Sequence, residues 1–324
     1  MFKGYGRLRR FESRTGVREE VAMAEFTTLV GGLSFPESPR WRDGRLYFSD
    51  FHTHRVLAVD PEKPSKVETI ATLAGQPCGI GWLPDGRMLV TSKHERLVMR
   101  METDGSLVVH CDLTELAPAS VNDMLVDRSG HAWVGNYGFD LDGGEALKKT
   151  GVIGVWTDGA GVVQTRMVTG GLGFPNGMVM TPDGRTMIVA ETFQNRLTAF
   201  DVDGGCLSNR RTWAAFGAEP KTTNAEEIFT SAEVVPDGIC LDAEGAVWVA
   251  DVMHARVIRV VEGGEILEEI GTGGRKAFAC MLGGADGKTL FACVAASFVD
   301  AEAAAEHRGE VLMTRVSVPG AGLP

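Results

Sequence analysis

Pro236-Asp237-Gly238-Ile239-Cys240-Leu241-Asp242-Ala243-Glu244-Gly245-Ala246-Val247-Trp248-Val249 is the stretch that decides the fold. It reads as a short apolar strand, a turn closed by glycine, and a second apolar strand of β-branched and aromatic residues. Glycine supplies the positive φ of a tight hairpin, and an acidic residue or serine before it suits such a turn. The same grammar recurs at Asp43-Gly44, Asp85-Gly86, Ser129-Gly130, Asp183-Gly184 and Asp286-Gly287. Successive turn glycines lie roughly 40 to 60 residues apart, the length of one four-stranded propeller blade with its loops. Third strands follow, as in Arg55-Val56-Leu57-Ala58-Val59 and Arg256-Val257-Ile258-Arg259-Val260. Runs apolar on both faces belong to sheets sandwiched between neighbours. No long segment has the 3.6-residue period of a helix. The expectation is an all-β, six-bladed β-propeller. Its last unit ends on Val311-Leu312-Met313-Thr314-Arg315-Val316 and lacks a fourth strand. Phe26-Thr27-Thr28-Leu29-Val30 is expected to supply that strand and close the ring, removing the open edges.

Residues 25–324 thus read as a single propeller domain. Residues 1–24 differ: Lys3, Arg7, Arg9, Arg10, Arg14 and Arg18 make them basic and without pattern, as expected of a disordered extension. Met23 is a candidate alternative start. Glu12, Glu19 and Glu20 argue against an organellar presequence, and the segment has no apolar core of a secretory signal. The chain is 44% hydrophobic and 23% charged, the balance of an ordinary globular protein. Its net charge of −11 disfavours nucleic acid and anionic membrane as partners. No apolar run approaches the roughly 20 residues of a membrane helix. Six cysteines without CxxC spacing read as reduced thiols in a cytoplasmic protein. Oligomeric state leaves no mark in the sequence.

The chemistry emerges at the start of each first strand, which is innermost in a propeller. Counting back from the turn glycines gives Glu37, Cys78, Asn122, Asn176, Asp237 and Ala279, the first unit being one residue shorter. A lone Asn or Asp at a strand end is commonly a cap. Four oxygen-bearing side chains at one repeat position converge on the axis instead. Carboxylates brought together there repel unless a positive charge lies between them. Two carboxylates and two amide carbonyls suit one hard divalent cation, Ca²⁺ foremost, with Mg²⁺, Mn²⁺ or Zn²⁺ as other candidates. Zn²⁺ more typically recruits His or Cys.

Phe35-Pro36-Glu37-Ser38-Pro39-Arg40-Trp41, Asn122-Asp123, Phe174-Pro175-Asn176-Gly177 and Pro236-Asp237-Gly238 resemble, in order, the marks of the senescence marker protein/gluconolactonase family, which includes regucalcin. The resemblance runs through residues 26–317. It implies a six-bladed propeller and metal-dependent hydrolysis of a small-molecule lactone. It also implies that Glu37, Asn176 and Asp237 are metal ligands and that Asn122 binds metal or substrate. The related diisopropylfluorophosphatase uses all four positions for calcium, which makes Asn122 a candidate fourth ligand. A cation with open positions polarises the lactone carbonyl, and Asp237 is the candidate catalytic general base on water. Neither a GxSxG elbow nor an HExxH pair offers another route.

The match departs around Asn122. Ser120 stands where sugar-lactone members typically carry Arg, and Met124-Leu125 replace a Gly-Lys pair, which implies a more apolar pocket. Asn136, Tyr137 and Phe139, at the exit of a second strand, are the expected substrate contacts together with Asn122. His52 and His254 are candidates for proton transfer. Asp50, Glu191 and Asp251 are expected to brace neighbouring blades through Arg55, Arg196 and Arg256. A phosphotriesterase on the same metal and a non-catalytic calcium-binding propeller are the alternatives to lactone hydrolysis.

Overall fold

Each copy of the repeat forms one four-stranded antiparallel sheet, six in all. The computed structural model describes residues 24–322, so the expected N-terminal extension lies outside the described residues except for Ala24. The innermost strands are Pro36–Arg42, Pro77–Trp82, Val121–Val126, Pro175–Met180, Pro236–Leu241 and Lys276–Gly283. Each packs on the next, and the sixth returns to the first, so the six surround one axis. The sixth sheet takes its outer strand from the other end of the chain: Thr27–Leu33 pairs with Gly309–Arg315 in the register Thr27 to Met313 and Thr28 to Leu312.

Burial grades outward from the axis. Val121–Val126 and Pro236–Leu241 are buried at every position, whereas the outer strands Val67–Thr72 and Leu107–Asp112 are largely solvated. Between blades lie large apolar side chains such as Trp133, Trp248 and Phe291, each at most 1% exposed. The hairpin glycines take positive φ, 87° at Gly86 and 83° at Gly245.

Two short helices interrupt the pattern. Helix α1, Ala225–Ser231, lies in the connection between blades four and five, with Asn224 capping it through the Glu227 N–H at 3.1 Å. Helix α2, Asp300–Glu306, sits between the second and third strands of blade six. Among the described residues no helix is long and apolar enough to cross a membrane. All six cysteines are free.

Two features of the inner strands aim their side chains. The register to the second strand slips between Glu37 and Arg40, Pro77 and Ile80, Val121 and Met124, Pro175 and Met178, and Pro236 and Ile239. In blade six it slips between Ala277 and Ala279. A bulge therefore falls on the axial position in blades two to six and turns that residue out of the ladder, while in blade one it follows directly after Glu37, which pairs with Ser49. The glycine after the axial residue then lets adjacent strands touch. A Cβ on Gly177 would stand 2.6 Å from the Ile239 nitrogen, and one on Gly238 would stand 2.5 Å from the Ala279 Cβ. Pro-Asn-Gly and Pro-Asp-Gly are thus close-approach motifs rather than turns.

Candidate metal centre and substrate cavity

Glu37, Asn122, Asn176 and Asp237 line one cavity of about 370 Å³. All four are nearly buried, at 5–7% exposure. The bulge brings them there with little else to bond. Among the described residues Asp237 Oδ1 and Asn122 Nδ2 have no hydrogen-bond partner. Asn122 Oδ1 accepts from the Cys78 thiol at 3.4 Å, and Asn176 Nδ2 donates to Thr192 Oγ1 at 3.1 Å, which leaves the Asn176 carbonyl oxygen as an acceptor. Glu37 Oε2 accepts from the Ser38 N–H at 2.6 Å, with Ser38 held at φ 49°.

The electrostatics are those of an anionic site short of cations. Burial and the nearby Asp123 charge push the Glu37 carboxyl up to about 8. Burial, then Glu37 and Asp123, push Asp237 well above the usual carboxylate range. Asp123 is itself paired: its Oδ1 accepts from Arg40 Nη2 at 2.7 Å and from the Met124 N–H at 2.8 Å. The Cys78 thiol is pushed up by burial and neighbouring carboxylates, so it stays protonated and is a poor soft ligand. Two buried carboxyls, two amides and an orphaned carboxylate oxygen fit a hard divalent ion. Asp123 and Arg40 were visible in the sequence motifs, but only the structure makes them a charge-balanced pair beside the site.

A second layer fixes the first. Asp50, Glu191 and Asp251 end the second strands of blades one, four and five, opposite Pro36, Pro175 and Pro236. Asp50 Oδ1 accepts from the N–H groups of Ser34 and Phe35 at 2.9 and 2.8 Å. Glu191 accepts from the Gly173 N–H at 2.8 Å, and Asp251 from the Val235 N–H at 3.0 Å. Each carboxylate therefore pins the residues that lead into Glu37, Asn176 or Asp237. Their arginines belong to the same blade, with Arg196 and Arg256 both at 2.8 Å and Arg55 at 4.0 Å. The expected bracing between blades is corrected to a clamp within each blade.

Asn136 holds the same strand-end position in blade three and does the same kind of work. It is fully buried, donates to the Gly151 carbonyl at 2.8 Å and accepts from Thr150 Oγ1 at 2.7 Å. It does not line the cavity, so its expected substrate contact is corrected to a structural role. Tyr137 does line it, against Phe174 at 4.3 Å between ring centroids. Phe139 stands one layer behind, edge-on to Phe174 and Phe193. In blade six the cavity is reached by Phe278, not Ala279, because the loop to the turn glycine is one residue longer there.

The two histidines stay outside the wall. His254 Nδ1 lies 2.9 Å from Asp251 Oδ1, and His52 Nδ1 lies 3.2 Å from Gln76 Nε2. Met124 and Leu125 point into interblade cores, so they do not make the pocket apolar. Its apolar character comes from Phe35 and Phe51 of blade one, Phe174 and Phe193 of blade four, and Phe278 of blade six. Sequence reasoning also missed Lys93, a buried cation in that wall.

A profile of the SMP-30/gluconolactonase/LRE-like region matches residues 35–296, spanning all four axial motifs. The chain belongs to that family. Regucalcin of Xenopus laevis is 26% identical over 272 residues, covering 82% of this chain and 84% of its own length. The pentonolactonase XacC of Haloferax volcanii is 26% identical over 306 residues, covering 89% and 92%. Among solved structures, the calcium-binding protein regucalcin of Agrobacterium tumefaciens superposes with a TM-score of 0.72 at 19% identity, over 94% of this chain and 96% of that one. That likeness fixes the family fold as the six-bladed propeller described above.

Proposed function

We infer that the protein is a metal-dependent hydrolase that opens a small lactone ring. Family membership and relatives such as the pentonolactonase support hydrolysis of lactones. The observation that supports a metal is the unpartnered, buried Asp237 Oδ1 beside Glu37, Asn122 and Asn176. Those four residues would hold the ion, most suitably Ca²⁺. When bound, such an ion supplies Lewis acidity toward the lactone carbonyl.

The chain's own residues do the rest. Asp237 presents a carboxylate oxygen that no donor among the described residues occupies, so it is the base that takes a proton from water. Glu37 and Asp237 ionise together only when positive charge sits between them, so ion binding and base activation are linked. Asn176, oriented by Thr192, keeps its amide oxygen available. Tyr137 and the phenylalanine wall exclude bulk water from the reacting ester and strengthen every charge interaction inside.

The test is metal content by mass spectrometry, followed by pH-stat assay of a lactone panel and a phosphotriester before and after chelation. Stoichiometric divalent metal and chelator-sensitive lactone opening are expected. A metal-free protein, or turnover indifferent to chelation, overturns the reading. Turnover of the phosphotriester alone would favour the phosphotriesterase alternative.

A further inference from the structure

We propose that the cavity selects lactones with an aryl or alkyl body, and that Lys93 supplies the hydrogen bond that orients their ester oxygens. This rests on the lactone-hydrolase reading above and names its substrate class. Lys93 follows the second strand of blade two, and its side chain is 4% exposed. Its Nζ lies over the rings of Phe51 and Tyr137, 5.2 and 5.4 Å from their centroids, an arrangement that stabilises a cation. The nearest carboxylate oxygen, Asp300 Oδ1, is 3.9 Å away, beyond hydrogen-bond reach. Among the described residues no acceptor bonds to this ammonium, and Lys93 lines the cavity, so its donors are open to a ligand there. A ligand oxygen in the cavity would accept a charge-assisted hydrogen bond from Lys93.

The rest of the wall offers a sugar little. Beyond the four axial residues its polar side chains are Tyr137, with one phenol hydroxyl, Thr192, Asp142 and Asp300. Thr192 is engaged with Asn176. Asp300 lies 3.8 Å from both His52 Nε2 and His94 Nε2, and Asp142 is exposed. The roof is apolar as well: Leu141, Phe229 from α1 and Phe298 before α2, with the two phenylalanine rings 5.2 Å apart. A polyhydroxylated ring would press most of its hydroxyls against carbon. A site built this way discriminates against unmet hydroxyls and in favour of flat or aliphatic bodies. The cavity volume lies in the range of small-ligand sites.

The experiment uses the calcium-loaded full chain with dihydrocoumarin and glucono-1,5-lactone. The aryl lactone is expected to be preferred by about 100-fold in kcat/KM. Lys93→Met should lower kcat/KM on dihydrocoumarin by about 10- to 100-fold with calcium content and Tm unchanged, and Lys93→Arg should restore part of it. A preference for the sugar lactone, or a Lys93→Met enzyme equal to wild type, overturns the proposal. If neither lactone is opened, the hydrolase reading has failed, and binding decides this one separately. By calorimetry, 3-(2-hydroxyphenyl)propanoate should bind wild type at least tenfold more tightly than Lys93→Met; equal binding overturns the assignment of Lys93.

Discussion

Two groups of buried carboxylates lie within one blade's width of each other, and they differ in how completely they are bonded. Glu191 is fully buried and accepts from the Gly173 N–H, from Arg196 Nε at 2.8 Å and from Arg210 Nη2 at 3.2 Å. Asp50 and Asp251 are bonded to backbone and side-chain donors in the same manner. Asp237, almost as buried, keeps one oxygen with no partner, and Glu37 takes only the Ser38 N–H. Burial alone does not separate structural from functional acid groups; satisfaction does. The clamped carboxylates hold the strand leads in place, and the axial pair is left for a ligand.

Breaking the axial side should have the largest effect. Asp237→Asn keeps the shape but removes the charge and the base, so lactone turnover should fall by roughly 10³-fold and bound metal should drop in mass spectrometry. Melting of the metal-free protein should be unchanged or raised, because a buried carboxyl that is costly to ionise is replaced by a neutral amide. A variant that kept both metal and rate would erase the distinction between the two groups.

Breaking the clamped side should instead cost stability. Glu191→Gln leaves Arg196 and Arg210 short of a counter-charge and should destabilise the fold by about 3 kcal/mol, read by urea denaturation. Metal affinity should weaken less than in Asp237→Asn, since the clamp acts on Asn176 indirectly, through the lead Gly173–Pro175 and the adjacent Thr192. A stable Glu191→Gln protein that lost its metal outright would mean that the two groups form one site.

The repeat made much of this legible. Six Gly-closed hairpins gave the blade count, and counting back from them reached Glu37, Asn122, Asn176 and Asp237 without any structural knowledge. The count slipped at Ala279 because a longer loop shifts the register in blade six and brings Phe278 to the axis. Asn136 misled for a related reason. Its strand-end position is that of Asp50, Glu191 and Asp251, and comparing those four would have shown it as a clamp. The same comparison reaches Lys93: it follows Ser92, opposite Pro77, as Phe51, Tyr137, Thr192 and Val252 follow the strand-end residues of their blades, and all five line the cavity. What the sequence does not carry is that its side chain folds over two rings contributed by other blades. Side-chain direction in a bulged, twisted sheet depends on neighbours distant in sequence.

The glycines sharpen the comparison from the backbone. Gly177→Ala would set a methyl group 2.6 Å from the Ile239 nitrogen and 2.7 Å from the Asp237 carbonyl oxygen. Adjacent inner strands would have to part, at a cost of about 2 kcal/mol, and Asn176 and Asp237 would move apart. Both Tm and metal affinity should therefore fall, in contrast to Glu191→Gln, where stability dominates. A Gly177→Ala protein with normal calcium affinity would show that the axial spacing tolerates more slack than the close approach implies.

The smallest effect belongs to Asp300 at the cavity mouth, which falls between the two groups: partly exposed, yet ringed by His94, Lys93 and His52. Contact with His94, helped by Lys93 and His52 and opposed by burial, holds its carboxyl at about 2. A depressed carboxyl stabilises the fold above its ordinary value, and that contribution is lost as pH falls toward about 2. Solvent screening keeps the contribution small, about 0.5 kcal/mol. Asp300→Asn should therefore loosen α2 slightly and by the same amount from pH 8 to 5, read as faster amide exchange across Asp300–Glu306. The difference from wild type should shrink only below about pH 4, as the wild-type carboxylate begins to titrate. A difference that disappeared as pH rose from 6 to 7 instead would assign the anchoring of α2 to protonated histidine and remove Asp300 from the comparison.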